Sequence, residues 1–142
     1  MTLIHHWRCK MVGEYGSYFQ PVPWATWRGR GFRRGKRKMC FQNAWNYALS
    51  HDDLMYAEGF AGASGVGLVH HAWCIDDAGR VVEPTWRETD HASHPVGEWF
   101  YTGIPFETAW LARLTTEQDY FGVLFDENRD RVQKYVRQRQ IG

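Results

Sequence analysis

The sequence predicts an α+β fold of one domain: a helix first, then a run of antiparallel strands, then closing helices. Three observations carry this. The stretch "CFQNAWNYAL" places Phe41, Ala44, Trp45, Ala48 and Leu49 on one helical face. The runs "LVHHAWCID" and "RVVEPTW" flank Asp77, Ala78 and Gly79, a short polar loop of hairpin type. The closing stretch "DENRDRVQKYVRQRQ" sets Glu127 against Arg131 and Asp130 against Lys134 at i,i+4, as an exposed helix does.

Taken in order, residues 1–38 are expected to form an irregular aromatic and basic segment, with the core in 39–142. Pro21 and Pro23 in "QPVPW" favour extended or turn backbone there. After the helix, "SHDD" ends it, "LMYAEGFA" reads as a strand and "GASGVG" as a flexible connection. The last is no phosphate loop, because the Lys-Ser/Thr ending is missing and a strand follows. Beyond the hairpin, "ETDHASHPVGE" reads as loop, "WFYTGIPF" as a strand and "ETAWLARL" as a short helix. "YFGVLF" reads as another strand before the closing helix, a weak echo of "YTGIPFE".

With 142 residues, 44% of them hydrophobic and 16% aromatic, the chain can bury a sizeable core, which excludes a disordered composition. No apolar run approaches the roughly 18 residues that span a bilayer, so no membrane partner is expected. "MTLIHHWRCK" lacks a basic region followed by an apolar one, and the expectation is a soluble, cytoplasmic protein. Three cysteines, Cys9, Cys40 and Cys74, form no CxxC pair, which argues against a disulfide framework and for reduced thiols.

The net charge of +1 hides an asymmetry. The run "RGRGFRRGKRK" holds Arg28, Arg30, Arg33, Arg34, Lys36, Arg37 and Lys38 with no acid, while acids exceed bases by six elsewhere. Such a run is ordinarily a solvated loop, but it also suits an acidic substrate or a nucleic acid.

A cysteine nucleophile needs a stabilised thiolate, a base within hydrogen-bond reach and a third group to orient that base. Cys40 stands at the predicted helix start, where free N–H groups and the helix dipole favour a thiolate. With a three-residue hairpin loop, Asp76 faces Arg80 and Trp73 faces Glu83, putting Glu83 on the face of His71 and diagonal to it. A two-residue loop would move Glu83 to the other face. His70 and Cys74 point away from that face in either case.

Cys40 at a helix start, "YAEGF" at 56–60, "HAW" at 71–73 and "VVEPTW" at 81–86 together resemble the transglutaminase-like branch of the papain-like cysteine enzymes. The resemblance implies a papain-like core, with an N-terminal helix carrying the cysteine packed on an antiparallel sheet. It implies Cys40 as nucleophile, His71 as general base and acid, and Glu83, in place of the family's aspartate, as the orienting carboxylate. Its substrate would be a protein, a peptide or a small amide, attacked through a thioester without a cofactor. The Cys40 N–H is the natural oxyanion donor. Gln20, Trp24 and Trp27 are candidates for the second donor, and Trp73 is a further substrate-facing candidate.

Other readings use the same residues. His70 and His71 are adjacent on a strand and point apart, and "HHWRC" and "HASH" lack a second half at zinc spacing, so no metal is expected. Trp24, Trp27 and Phe32 beside the basic run would suit a non-enzymatic nucleic-acid or polyanion binder. A catalytically inactive papain-like binding domain is the third alternative.

Overall fold

The computed structural model describes residues 3–22, 35–36, 38–63, 67–86 and 99–141. Helix α1 spans Leu3–Tyr15, strand β1 Ser17–Phe19, helix α2 Cys40–Ser50, strand β2 Met55–Ala63, strand β3 Gly67–Ile75 and strand β4 Val81–Val82. Strand β5 spans Trp99–Phe106, helix α3 Thr108–Thr115 and helix α4 Arg129–Ile141. The fold is α+β. Its five strands make one antiparallel sheet in the order β1-β5-β2-β3-β4. Gln20, just past β1, donates its N–H to Gly79 O and accepts from Val81 N–H beside β4 (3.3 and 2.9 Å). The sheet therefore curls until its first and last strands meet.

Strand alternation sorts the side chains into two cores. Tyr56, Ala72, Cys74 and Phe106 face outward and pack under the helices, against Trp7, Trp45, Leu111 and Val132. Phe19, Ala57, Trp73, Ile75, Val81 and Tyr101 fill the concave face. On α2 the predicted stripe is buried at Ala44, Trp45 and Ala48, whereas Leu49 is 38% exposed. β5 covers the whole of "WFYTGIPF", and β2 and β3 run on to Ala63 and Gly67, into the two ends of "GASGVG".

Four expectations need correcting. Residues 3–19 are not irregular: α1 and β1 form there and bury Trp7, Met11, Val12 and Phe19, so the cysteine helix is the second helix and not the N-terminal one. "RVVEPTW" pairs with β3 only at Val81 and Val82, because the chain leaves the sheet at Glu83 and Pro84 has no N–H to donate. Arg131 of α4 pairs with Glu117 across the turn after α3. Finally, "YFGVLF" is not a strand. Its consecutive N–H groups at Val123 and Leu124 both donate to the Glu58 carboxylate (2.7 and 2.8 Å), Gly122 takes φ +112°, and Val123 O accepts from Asn128 Nδ2. Side chains thus satisfy the backbone that a neighbouring strand would otherwise satisfy. "ETDHASHPVGE" falls on 88–98, outside the described residues. Among the described residues no helix is long and apolar enough to cross a membrane.

Glu58 holds this outer layer together. Fully buried on β2, it also accepts from Tyr56 OH (2.5 Å) and His70 Nε2 (2.7 Å). Burial opposes its ionisation, but the His70 bond and charge, Tyr56 and the Leu124 N–H outweigh that and hold the carboxyl below the usual range. A depressed folded pKa stabilises above the unfolded value of about 4.3 and ceases to do so as pH falls through the folded value. Replacement by Gln should cost about 3–5 kcal/mol in urea unfolding and weaken the acid dependence of the midpoint. A change under 1 kcal/mol would show that the carboxylate is not what organises the 121–125 turn.

Candidate active site

α2 begins with Cys40, half-buried, and its N-cap residue Met39 makes no side-chain capping bond to the first turn. The approach is held from two sides. Asn43 Nδ2, one turn into α2, donates to Lys36 O (2.8 Å) and to Thr85 Oγ1 (2.9 Å), and Gly35 N–H donates to Pro84 O (2.7 Å). A Cβ at position 35 would lie 2.1 Å from Asn43 Cγ, so only glycine fits beside this brace. Lys38 takes φ +65°, unlike any other non-glycine residue described, and such left-handed backbone costs energy for a side-chain-bearing residue. The cysteine helix is thus pinned to the segment that leaves β4.

That segment brings in Glu83. The hairpin has the three-residue loop: Asp76 N–H donates to Arg80 O (3.0 Å) and Gly79 takes φ +75°. The register Cys74↔Val82 and Ile75↔Val81 carries on to Trp73 opposite Glu83, so Glu83 shares the face of His71. Their side chains meet, with Nε2 of His71 2.6 Å from Glu83 Oε1. The same oxygen accepts from Tyr101 OH (3.0 Å), and Oε2 accepts from the N–H groups of Thr85 (2.9 Å) and Trp86 (3.1 Å). Both carboxylate oxygens are therefore supplied with donors, the condition for staying ionised away from water.

His71 is 1% exposed. Trp86 lies flat on its ring, with centroids 3.5 Å apart and planes 7° apart, and Trp73 stacks beyond at 6.0 Å. With Nε2 engaged by Glu83, Nδ1 is the nitrogen left for the Cys40 thiol. Burial alone would lower the imidazole pKa. The Glu83 charge, hydrogen bonding to Cys40 and Glu83, and the Cys40 charge outweigh it and push the value up to about 9. At neutral pH the ring is an imidazolium between two acids, and a flat indole face suits a cation.

His71 is bonded to Glu83 and has Cys40 among the groups that raise its pKa, and the other sequence candidates fare differently. Gln20 is exposed and serves the sheet seam through its backbone, level with Arg80 and roughly 16 Å along β3 from His71 at 3.3 Å per residue. Trp73 is fully buried, edge-on to Tyr101 at 5.0 Å, so it supports His71 from beneath and cannot touch a substrate. Trp24, Trp27, Arg28, Arg30, Arg33, Arg34 and Arg37 lie outside the described residues, whereas Lys36 and Lys38 are exposed beside Cys40. Cys74 donates to Ala44 O (3.3 Å), and burial pushes its thiol far up, which leaves it a core residue. Among the described residues no three His, Cys, Asp or Glu side chains gather as a metal-binding set.

Asn43, Trp86 and Tyr101 escaped the sequence reading. Asn43 carried a signal, standing three residues after Cys40 and so on its side of the helix, and Trp86 closes the "EPTW" motif. Tyr101 arrives from β5 across the sheet and had none. Comparison with family models, curated proteins and solved structures finds no match to this chain.

Because the folded pKa of His71 is raised, its pairing stabilises fully below the unfolded value of about 6.5 and ceases to as pH rises through about 9. Glu83→Gln removes the charge that raises it most. The ring-proton NMR titration of His71 should then move down by about one to two units. An unmoved titration would mean that Glu83 does not set the charge state of the imidazole.

Proposed function

We propose that the chain is a cysteine-dependent acyl-transfer enzyme acting on amides, in the manner of the transglutaminase-like, papain-type enzymes its motifs resemble. One observation carries the reading: a buried imidazole bonded on Nε2 to a fully satisfied carboxylate, with the thiol at a helix start on its other side. Residues in that order supply the three parts of thiol catalysis.

In the ion-pair form the Cys40 sulfur attacks the carbonyl carbon while His71 holds the proton. The oxyanion develops against the N–H groups at the start of α2, with the Cys40 N–H foremost. His71 then gives its proton to the departing amine nitrogen, the C–N bond breaks and a thioester forms. Water enters, His71 takes its proton, and the acid leaves as the thiolate returns. Glu83 keeps the ring oriented and stabilises its cationic form throughout, and the planar contact with Trp86 holds it in plane. Hydrolysis is preferred to transfer onto an amine, because water competes well for a thioester at a half-exposed cysteine.

Iodoacetamide at neutral pH should alkylate Cys40 at least about tenfold faster than Cys9 and Cys74, read by peptide mass spectrometry. His71→Ala should slow Cys40 by about tenfold or more, or move the onset of labelling to higher pH. Equal, slow labelling of the three thiols, or a pH profile that ignores position 71, would remove the enzyme reading.

A further inference from the structure

Resting on that reading, we infer that the amide substrate carries a negative charge close to the scissile bond, and that Lys36 and Lys38 receive it. Both lysines are exposed, and among the described residues neither has a carboxylate partner. Their backbone is not a free tether. Asn43 grips the Lys36 carbonyl, Gly35 is bonded to Pro84, and Lys38 is held at φ +65°, so the pair is presented in one place.

That place is the rim of the site. Lys38 is two residues from Cys40, at most about 7 Å of chain, so its ammonium can come within roughly 10 Å of the sulfur. The nearest acids of the site do not neutralise it. Glu83 is buried and spends both oxygens on His71, Tyr101 and the backbone of Thr85 and Trp86. Lys38 carries its long cationic side chain on left-handed backbone, where glycine would cost less. An amide flanked by a carboxylate, as in an acidic peptide, meets the cations as its carbonyl reaches the thiol. A neutral or basic amide gains nothing there.

Two alkylating agents of nearly equal size isolate the effect. Iodoacetate carries the charge and iodoacetamide does not, so the ratio of their rates at Cys40 reads the local field and cancels any change in thiolate content. Replacing Lys36 by Gln and Lys38 by Asn, which tolerates left-handed backbone, should lower the iodoacetate-to-iodoacetamide ratio about three- to tenfold at low salt. The difference between parent and variant should shrink when salt is raised to about 1 M. Lys36→Glu with Lys38→Glu should lower the ratio further. An unchanged ratio in both variants, with circular dichroism like that of the parent, overturns the inference and leaves the thiolate reading standing. Slow iodoacetamide labelling of Cys40 in the parent chain overturns the thiolate reading itself, and the inference with it.

Discussion

A carboxylate stays ionised out of water only where donors surround it, and this fold meets that condition twice, on opposite faces of the same sheet. Glu58 on β2 gathers Tyr56, His70 and two backbone amides on the outer face. Glu83 gathers His71, Tyr101 and two backbone amides on the concave one. Each pairs with one of two adjacent histidines of β3. The first folds the 121–125 segment into a turn under the helices, and the second fixes an imidazole beside a thiol. Removing either would leave buried donors without acceptors.

The separation of the two networks follows from strand alternation, since neighbours on β3 point to opposite faces. Access to His71 follows from the brevity of β4. Pairing stops after Val82, the chain turns away through Glu83 and Pro84, and the opened edge of β3 receives the start of α2. Asn43 ties the two segments together, so Cys40 and Glu83 are positioned by one shared brace rather than by separate loops. That rigidity suits catalysis, where small misplacements of the reacting groups are costly.

Elements whose side chains face a single partner were legible. α2, β5 and the hairpin each carry a clean period and an obvious end, whereas the loop length that aligns Glu83 with His71 stayed open between two and three residues until the Asp76–Arg80 bond fixed it. The misread segments depend on distant partners. "YFGVLF" has strand composition, yet it satisfies its backbone on Glu58, more than 60 residues upstream. α1 shows Trp7, Met11, Val12 and Tyr15 at helical spacing, but Gly13 and the neighbouring histidines blur it, and packing on β5 makes up for the weak stripe.

What the sequence determined by itself is the local pattern: a cysteine opening an amphipathic helix, and a histidine and a glutamate that share one face of a hairpin when its loop has three residues. Both follow from short-range geometry, with periods of 3.6 and 2. What only the tertiary structure decided is that these two patterns meet. That required the early end of β4, the Asn43–Thr85 bond and a tyrosine brought from β5, contacts between residues 18 to 42 positions apart. No local propensity encodes such contacts, because each is selected by the burial of everything around it.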